Sequence, residues 1–233
     1  MFILPSRGLI LDRDNQILAE NKKQYQLIYR FNNSIDELKN FKKLFKHIDL
    51  KEPEKLNLIK TLTNKKKLFS EIIIKSNLTW TEVARVSANI TELRGVSIET
   101  RLVRSYKSIP SSHVLGYVTK PDKLNYPKLA KVSGTVVGKI GIEKSFDKEL
   151  QGKFGIKKEE VNAHGRVVNE ISRVDGISGK DIQLSISIDL QGFCYDRLGE
   201  NTGSIVVMNA QNGEILSFVS KPSFDSNDFS NDL

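Results

Sequence analysis

Residues 138–152, GKIGIEKSFDKELQG, decide how the middle of this chain folds. Ile142, Phe146 and Leu150 recur at every fourth position, a spacing that predicts one helix with a single apolar face from residue 140 to residue 150. Gly152 stands where a helix end favours a residue that tolerates a positive φ. We therefore expect these three apolar side chains to be buried, with Lys148 on the solvent side.

Composition narrows the class of protein before any motif is considered. The 233 residues are 39% hydrophobic and 27% charged, which is typical of a globular chain of one or two domains. The net charge of +8 raises the question of nucleic-acid binding. Its densest basic run, Lys65-Lys66-Lys67, lacks interleaved aromatic residues, so a solvated lysine-rich surface is the better interpretation. Cys194 is the only cysteine and is expected to be a small core residue.

Secondary-structure signals alternate between strand and helix along the chain. Asp14-Asn15 suits a tight hairpin turn, and Asn212-Gly213 is the strongest short hairpin signal. Ser34 to Glu37 and Thr79 to Glu82 are capping-box patterns that predict helix starts. The second of these helices should bury a row of apolar residues, namely Val83, Val86, Ile90 and Leu93.

The last quarter of the chain has its own pattern. Ile182, Leu184, Ile186 and Ile188 alternate strictly, which predicts a strand with one buried face. Asp189 is expected to cap a helix that runs through Leu198. The Gly- and Ser-rich residues 175–180 are the candidate domain boundary.

Five blocks carry a resemblance to a known family: RGLILDRDNQILAE, GVSIETRLVRSY, HVLGYV, GKIGIEKSFDKELQG and GSIVVMNAQNGEILSFVSKPSFD. In this order they resemble the N-terminal half of a class B penicillin-binding protein, most closely the elongation-specific type. The resemblance covers nearly the whole chain, with a gap around residues 31–95. The structural family motif falls on the following residues: Arg7, Gly8, Asp12, Arg13, Gly141, Glu143, Lys144 and Gly152.

The resemblance implies an α+β fold. Residues 1–178 would form an elongated pedestal, or dimerisation-like, domain with an inserted α/β head lobe at about residues 32–95. Residues 180–233 would be the truncated start of a transpeptidase domain. Arg7, Asp12 and Arg13 have two interpretations: a surface ion-pair network, or a structural box that fixes the base of the pedestal near the membrane.

The function implied is that of a non-catalytic part of a peptidoglycan D,D-transpeptidase of cell elongation. Its implied partners are a SEDS-type glycosyltransferase and elongation-complex scaffold proteins, and it would contact peptidoglycan through the parent protein. It would lie on the periplasmic face of the inner membrane, with the membrane anchor of the family missing here. No cofactor, metal site or nucleic-acid partner is expected.

Catalytic motifs of the family are matched only superficially. Ser145 and Lys148 have the Ser-x-x-Lys spacing, but they fall in the block that matches a non-catalytic pedestal helix. Ser87-Ala88-Asn89 reverses the motif order of the family, and no Lys-Ser-Gly or Lys-Thr-Gly occurs. We expect no catalysis from this chain. Three alternatives stay open: a division-specific class B protein, a basic nucleic-acid-binding protein, and a small hydrolase that uses Ser145.

Overall fold

The computed structural model describes residues 2–30, 41, 43–63, 71–132, 134–161 and 167–231. They form a mixed α and β fold, as predicted. The chain divides into two compact units, residues 1–22 with 102–233 and residues 23–101. The second unit encloses the predicted head lobe of residues 32–95. The division into pedestal and transpeptidase parts at residues 178–180 stays a prediction.

The unit of residues 23–101 packs helices on strands. It contains the later part of β3 (Ile17–Arg30), α1 (Glu52–Thr63), β4 (Glu71–Lys75), α2 (Trp80–Ala88) and the start of β5 (Val96–Tyr106). β4 pairs antiparallel with β3, and β5 also pairs with β3. Its core is built from aromatic and branched side chains: Leu27, Tyr29, Phe41, Leu44, Ile48, Ile74, Leu78, Val83, Val86, Leu93 and Val96.

The start of α2 confirms the capping box predicted at Thr79 to Glu82. The Thr79 hydroxyl accepts from the Glu82 amide, and the Glu82 carboxylate accepts from the Thr79 amide. The prediction that Ile90 points inward is wrong, because Ile90 is 39% exposed. The helix ends at Ala88, so its period does not reach residue 90. The other predicted capping box, residues 34–37, lies outside the described residues.

The unit of residues 1–22 and 102–233 contains several small sheets. β1 (Phe2–Ile3), β8 (Gly155–Val161) and β9 (Val167–Val174) form a three-stranded antiparallel sheet. β2 (Ile10–Leu11) pairs antiparallel with β3 and parallel with β10 (Ile182–Gln183). β6 (Val118–Thr119) pairs with β7 (Val137–Gly138). The core of this unit consists of Ile10, Leu18, Ala19, Tyr106, Leu115 and Leu150.

The predicted helix over residues 140–150 is two short helices. They are α4 (Gly141–Ser145) and α5 (Asp147–Gln151), and Phe146 between them has φ −112° and ψ 26°. Leu150 is fully buried as predicted, but Phe146 is 38% exposed, so its predicted burial is wrong. Asp147 opens α5 by accepting a hydrogen bond from the Gly138 amide at 2.8 Å. This contact accompanies the change in helix register that leaves Phe146 at the surface.

The C-terminal quarter begins with a shorter strand than the alternation predicts. Only Ile182–Gln183 is a strand, although the Leu184 amide still donates to the Leu11 carbonyl at 2.9 Å. The predicted cap at Asp189 is wrong. Ser187 is the N-cap of α6 (Ile188–Arg197), because its hydroxyl accepts from the Leu190 amide.

After α6 come β11 (Gly203–Met208), β12 (Ile215–Lys221) and α7 (Ser226–Asn231), and a short α3 (Ser112–Leu115) precedes β6. β11 and β12 form the hairpin predicted around Asn212-Gly213, where Gly213 has φ 78°. The hairpin predicted at Asp14-Asn15 is also present, with Asn15 at φ 62°. Cys194 is buried on α6, as expected of a core residue.

Candidate functional site

A buried charge cluster stands out among the described residues of the unit formed by residues 1–22 and 102–233. It consists of Arg7, Arg104, Tyr106 and Glu143, whose exposed fractions are 7%, 4%, 6% and 0%. Arg7 lies between β1 and β2, and Glu143 lies in α4. Arg104 and Tyr106 lie near the end of β5. Three distant segments of the chain therefore meet at one carboxylate.

Both arginines bind the same carboxylate from different sides. Arg7 Nε is 2.7 Å from Glu143 Oε2, and Arg104 Nε is 2.7 Å from Glu143 Oε1. Further hydrogen bonds go to the backbone: Arg7 Nη2 donates to the Glu143 carbonyl at 3.0 Å, and Arg104 Nη1 donates to the Gly8 carbonyl at 2.8 Å. The Tyr106 hydroxyl donates to Glu143 Oε1 at 3.3 Å. Arg7 Nη2 also pairs with Asp147 at 2.8 Å.

The surroundings of Arg7 and Tyr106 shift the pKa of each side chain. Burial alone would lower the pKa of Arg7, but the negative charges of Glu143 and Asp147 outweigh it and raise that pKa above its usual value. Burial, together with the charge of Glu143, raises the pKa of the Tyr106 hydroxyl. Tyr106 therefore stays a neutral hydrogen-bond donor across the physiological range.

This arrangement is suited to holding segments together and not to proton transfer. Glu143 is fully buried and accepts from two guanidinium groups and a phenol, so a substrate could reach its oxygens only by displacing a partner. Paired buried charges of this kind fix geometry, because leaving one partner unpaired in the interior is strongly unfavourable.

Two glycines of the predicted motif allow the close approach of these segments. A Cβ on Gly8 would lie 1.9 Å from the Lys180 carbonyl oxygen, so only glycine fits where residues 180–181 cross it. Gly141 has φ 63° at the start of α4, and a Cβ there would lie 2.5 Å from the Val114 carbonyl oxygen. Gly152, at φ 71°, has the positive φ predicted for the end of α5.

The structure separates the predicted group of Arg7, Asp12 and Arg13. Asp12 is fully buried; its carboxylate accepts from the amides of Asp14 and Gln16 and, through its second oxygen, from the Ile188 amide. Arg13 lies at the surface, 3.8 Å from Glu214. The interpretation of these three residues as a surface ion-pair network is wrong, because Arg7 and Asp12 are buried and have different partners. Lys144 is exposed on α4, and the assignment of these residues as a family motif stays a prediction.

The structure places both residues of the Ser-x-x-Lys match at the surface. Ser145 and Lys148 are both exposed and lie on different short helices, on either side of the break at Phe146. Within the described ranges, no group of three His, Cys, Asp or Glu residues could hold a metal ion. No helix in that part of the chain is both long and apolar enough to span a membrane.

Sequence reasoning missed half of the buried cluster. Arg104 and Tyr106 lie in the block GVSIETRLVRSY, which contributed to the resemblance without a role for either residue. The alternation of that block indicated that both residues are buried. Arg104 and Tyr106 lie on the same face of β5, and most residues at the end of this strand are buried. An arginine on an apolar face calls for a buried carboxylate, and Glu143 supplies it.

A known protein family matches most of this chain. The model of the family described as "Penicillin-binding Protein dimerisation domain" matches residues 2–184. The chain belongs to this family. Arg7, Arg104 and Glu143 all lie inside the matched range.

Two of the proteins to which the chain is similar carry the same name, MrdA. The chain is 33% identical over 241 residues to the peptidoglycan D,D-transpeptidase MrdA of Escherichia coli K12, covering 97% of this chain and 37% of that protein. It is 30% identical over 235 residues to MrdA of Salmonella typhimurium LT2, covering 97% of this chain and 38% of the relative. The chain thus spans well under half the length of these relatives.

Solved structures agree with the sequence relatives. A complex between penicillin-binding protein PBP2 and MreC from Helicobacter pylori has a TM-score of 0.80 and 28% identity, covering 99% of this chain and 44% of that one. PBP2 alone from the same organism has a TM-score of 0.68 and 25% identity, with 99% of this chain and 45% of the other covered.

Proposed function

We propose that this chain is the non-catalytic N-terminal part of a peptidoglycan D,D-transpeptidase that acts in cell-wall synthesis during elongation. Its task is to position a catalytic domain and to bind partners of the elongation complex. The observation that carries the proposal is the buried cluster at Glu143, where ion pairs hold three segments of the chain together. The similarity to MrdA, which extends over 97% of this chain and 37% of that protein, supports it.

Contacts between the base and the C-terminal segment support a positioning role. The Asn227 side chain accepts from the Tyr106 amide at 2.9 Å and donates to the Tyr106 carbonyl at 3.0 Å, as a paired strand would. Gln191 on α6 donates to the Pro110 carbonyl at 3.1 Å. A domain that continues from this segment would be held to the base by directional hydrogen bonds.

The partner we propose is a scaffold protein of the MreC type, since the similar Helicobacter pylori protein was solved in a complex with MreC. We further propose a SEDS-type glycosyltransferase as a second partner, and a location on the periplasmic face of the inner membrane. The unit of residues 23–101 is the proposed scaffold-binding part. It has its own core and carries Trp80 with 72% of its surface exposed, a residue type enriched at binding hot spots.

Absence of acylation tests the non-catalytic part of this proposal. The chain is incubated with a fluorescent penicillin and separated by denaturing electrophoresis, beside a complete penicillin-binding protein as positive control. We expect no covalent band, because acyl transfer needs a serine activated by a neighbouring base, whereas Ser145 is exposed and Lys148 lies in the next helix, beyond the break at Phe146. A band that disappears in Ser145→Ala would show that the chain is an enzyme.

A further inference from the structure

The loop that follows β6 carries the most exposed large apolar side chain among the described residues. Leu124 lies in this loop, residues 120–132, and is 89% exposed. β6 and β7 pair with each other on either side of the connection, so the loop projects from the end of a two-stranded sheet. A single exposed leucine is common at protein surfaces, so the residues around Leu124 decide what it can do.

Hydrogen bonds hold Leu124 at the tip of a turn. The Asp122 carboxylate accepts from the Asn125 amide at 2.7 Å, and the Asp122 carbonyl accepts from the Tyr126 amide at 2.9 Å. The Ala130 amide donates to the Tyr126 carbonyl at 2.9 Å, so the chain continues in turns. Leu124 is therefore held in place before any contact forms, which limits the conformational entropy lost on binding.

Positive charge surrounds Leu124. Residues 120–132 contain four lysines and a single acidic residue, Asp122. The exposed lysines of the loop include Lys120, Lys123 and Lys128. The loop therefore combines a projecting apolar side chain with a surplus of positive charge, which is the chemistry of segments that bind anionic membrane surfaces.

An anionic bilayer fits this combination better than a protein or a nucleic acid does. A standard protein interface buries about 800 Å² on each partner. Beside Leu124, however, Lys123 and Asn125 are polar and exposed, so the apolar contact is a single side chain. Nucleic acid would bind the lysines through its phosphates but would leave Leu124 in water. In a bilayer, an apolar tip enters the acyl boundary while lysine side chains keep their ammonium groups among the headgroups.

We propose that the 120–132 loop contacts the surface of an anionic lipid bilayer, with Leu124 in the acyl region and the exposed lysines at the headgroups. Each lysine near an anionic surface strengthens binding about fivefold. Burial of the leucine side chain strengthens it about tenfold. This contact goes beyond positioning a catalytic domain and binding elongation partners, because it needs neither of them.

Vesicle sedimentation of the 233-residue chain tests the contact. Vesicles of phosphatidylcholine with about 30% phosphatidylglycerol are compared with vesicles of phosphatidylcholine alone, with lipid raised to about 5 mM. The chain should bind the anionic vesicles, bind the neutral ones at least about tenfold more weakly, and be released at about 0.5 M salt. Leu124→Gln should weaken binding about tenfold, and Lys123→Gln with Lys128→Gln about twentyfold.

Matched controls separate the loop from overall charge and hydrophobicity. Leu56→Gln removes another exposed leucine, which lies on α1 and is 56% exposed. Lys23→Gln with Lys51→Gln removes two exposed lysines from the unit of residues 23–101. Both controls should bind within about twofold of the unchanged chain, and circular dichroism confirms that each variant is folded.

Three results would overturn the proposal. The first is no binding to anionic vesicles, or equal binding to neutral ones. The second is binding that depends on the lysines but is unchanged in Leu124→Gln, because this would indicate a purely electrostatic contact such as nucleic acid also provides. The third is a loss of binding in the control variants as large as that in the loop variants.

Discussion

The Glu143 carboxylate should be the most sensitive single group for stability in the unit that contains it. Glu143→Gln keeps the shape of the side chain but removes the charge that balances Arg7 and Arg104. Arg7 keeps Asp147 at 2.8 Å, whereas Arg104 is left with backbone and amide acceptors only. Hydrogen bonds to charged groups contribute about 1.5–3 kcal/mol each, and breaking a buried pair costs about 3–5 kcal/mol. We expect a loss of about 3–5 kcal/mol.

The assay is urea unfolding at neutral pH, followed by far-ultraviolet circular dichroism. Glu149→Gln is the matched control, because Glu149 lies in the next helix and is exposed, so it should cost less than about 0.5 kcal/mol. The paired change Arg104→Met with Glu143→Leu should cost less than the sum of its single changes, since it removes both interacting charges. A loss below about 1 kcal/mol for Glu143→Gln would show that the cluster does not hold the base together.

Three further predictions concern other parts of the chain. Leu150→Ala should cost about 2–5 kcal/mol because Leu150 is fully buried, whereas exposed Lys148→Ala should cost less than about 0.5 kcal/mol; equal losses in urea unfolding would contradict the assigned buried face. Although burial raises the pKa of Glu82, its hydrogen bonds, chiefly from Lys75, lower that pKa to about 2, so up to about 3 kcal/mol of stability is present above pH 4.5 and is lost as pH falls towards 2. Glu82→Gln should flatten this acid dependence in a pH series of urea midpoints. Asn227→Ala should raise amide hydrogen exchange at Tyr106, while an unchanged rate would mean that the amide is protected by other contacts.

The sequence correctly predicted the structural elements that are determined by neighbouring residues. The capping box at Thr79 and the Asn212-Gly213 hairpin depend on residues a few positions apart, and both are present. The helix over residues 140–150 failed because Asp147 is held by Gly138 and Arg7, contacts that the apolar period does not include. Likewise, Asp189 has the right chemistry for a cap, but Ser187 occupies the position where the chain leaves its extended conformation.

The site was predictable only in part for the same reason. The resemblance named Arg7, Gly8, Gly141 and Glu143, which the structure brings together around one carboxylate. It gave no role to Arg104, whose partner is 39 positions away in sequence. The alternation of β5 indicates that Arg104 is buried, but no pattern within either segment identifies Glu143 as its partner.

Binding to a scaffold partner tests the proposed role most directly. Isothermal titration calorimetry measures association of this chain with an MreC-type protein from the same organism. The intact chain should bind with one-to-one stoichiometry, and a chain in which residues 34–93 are replaced by a short flexible linker should keep its base folded and lose binding. Undiminished binding after that deletion, or no binding by the intact chain, would contradict a partner-binding role for the unit of residues 23–101.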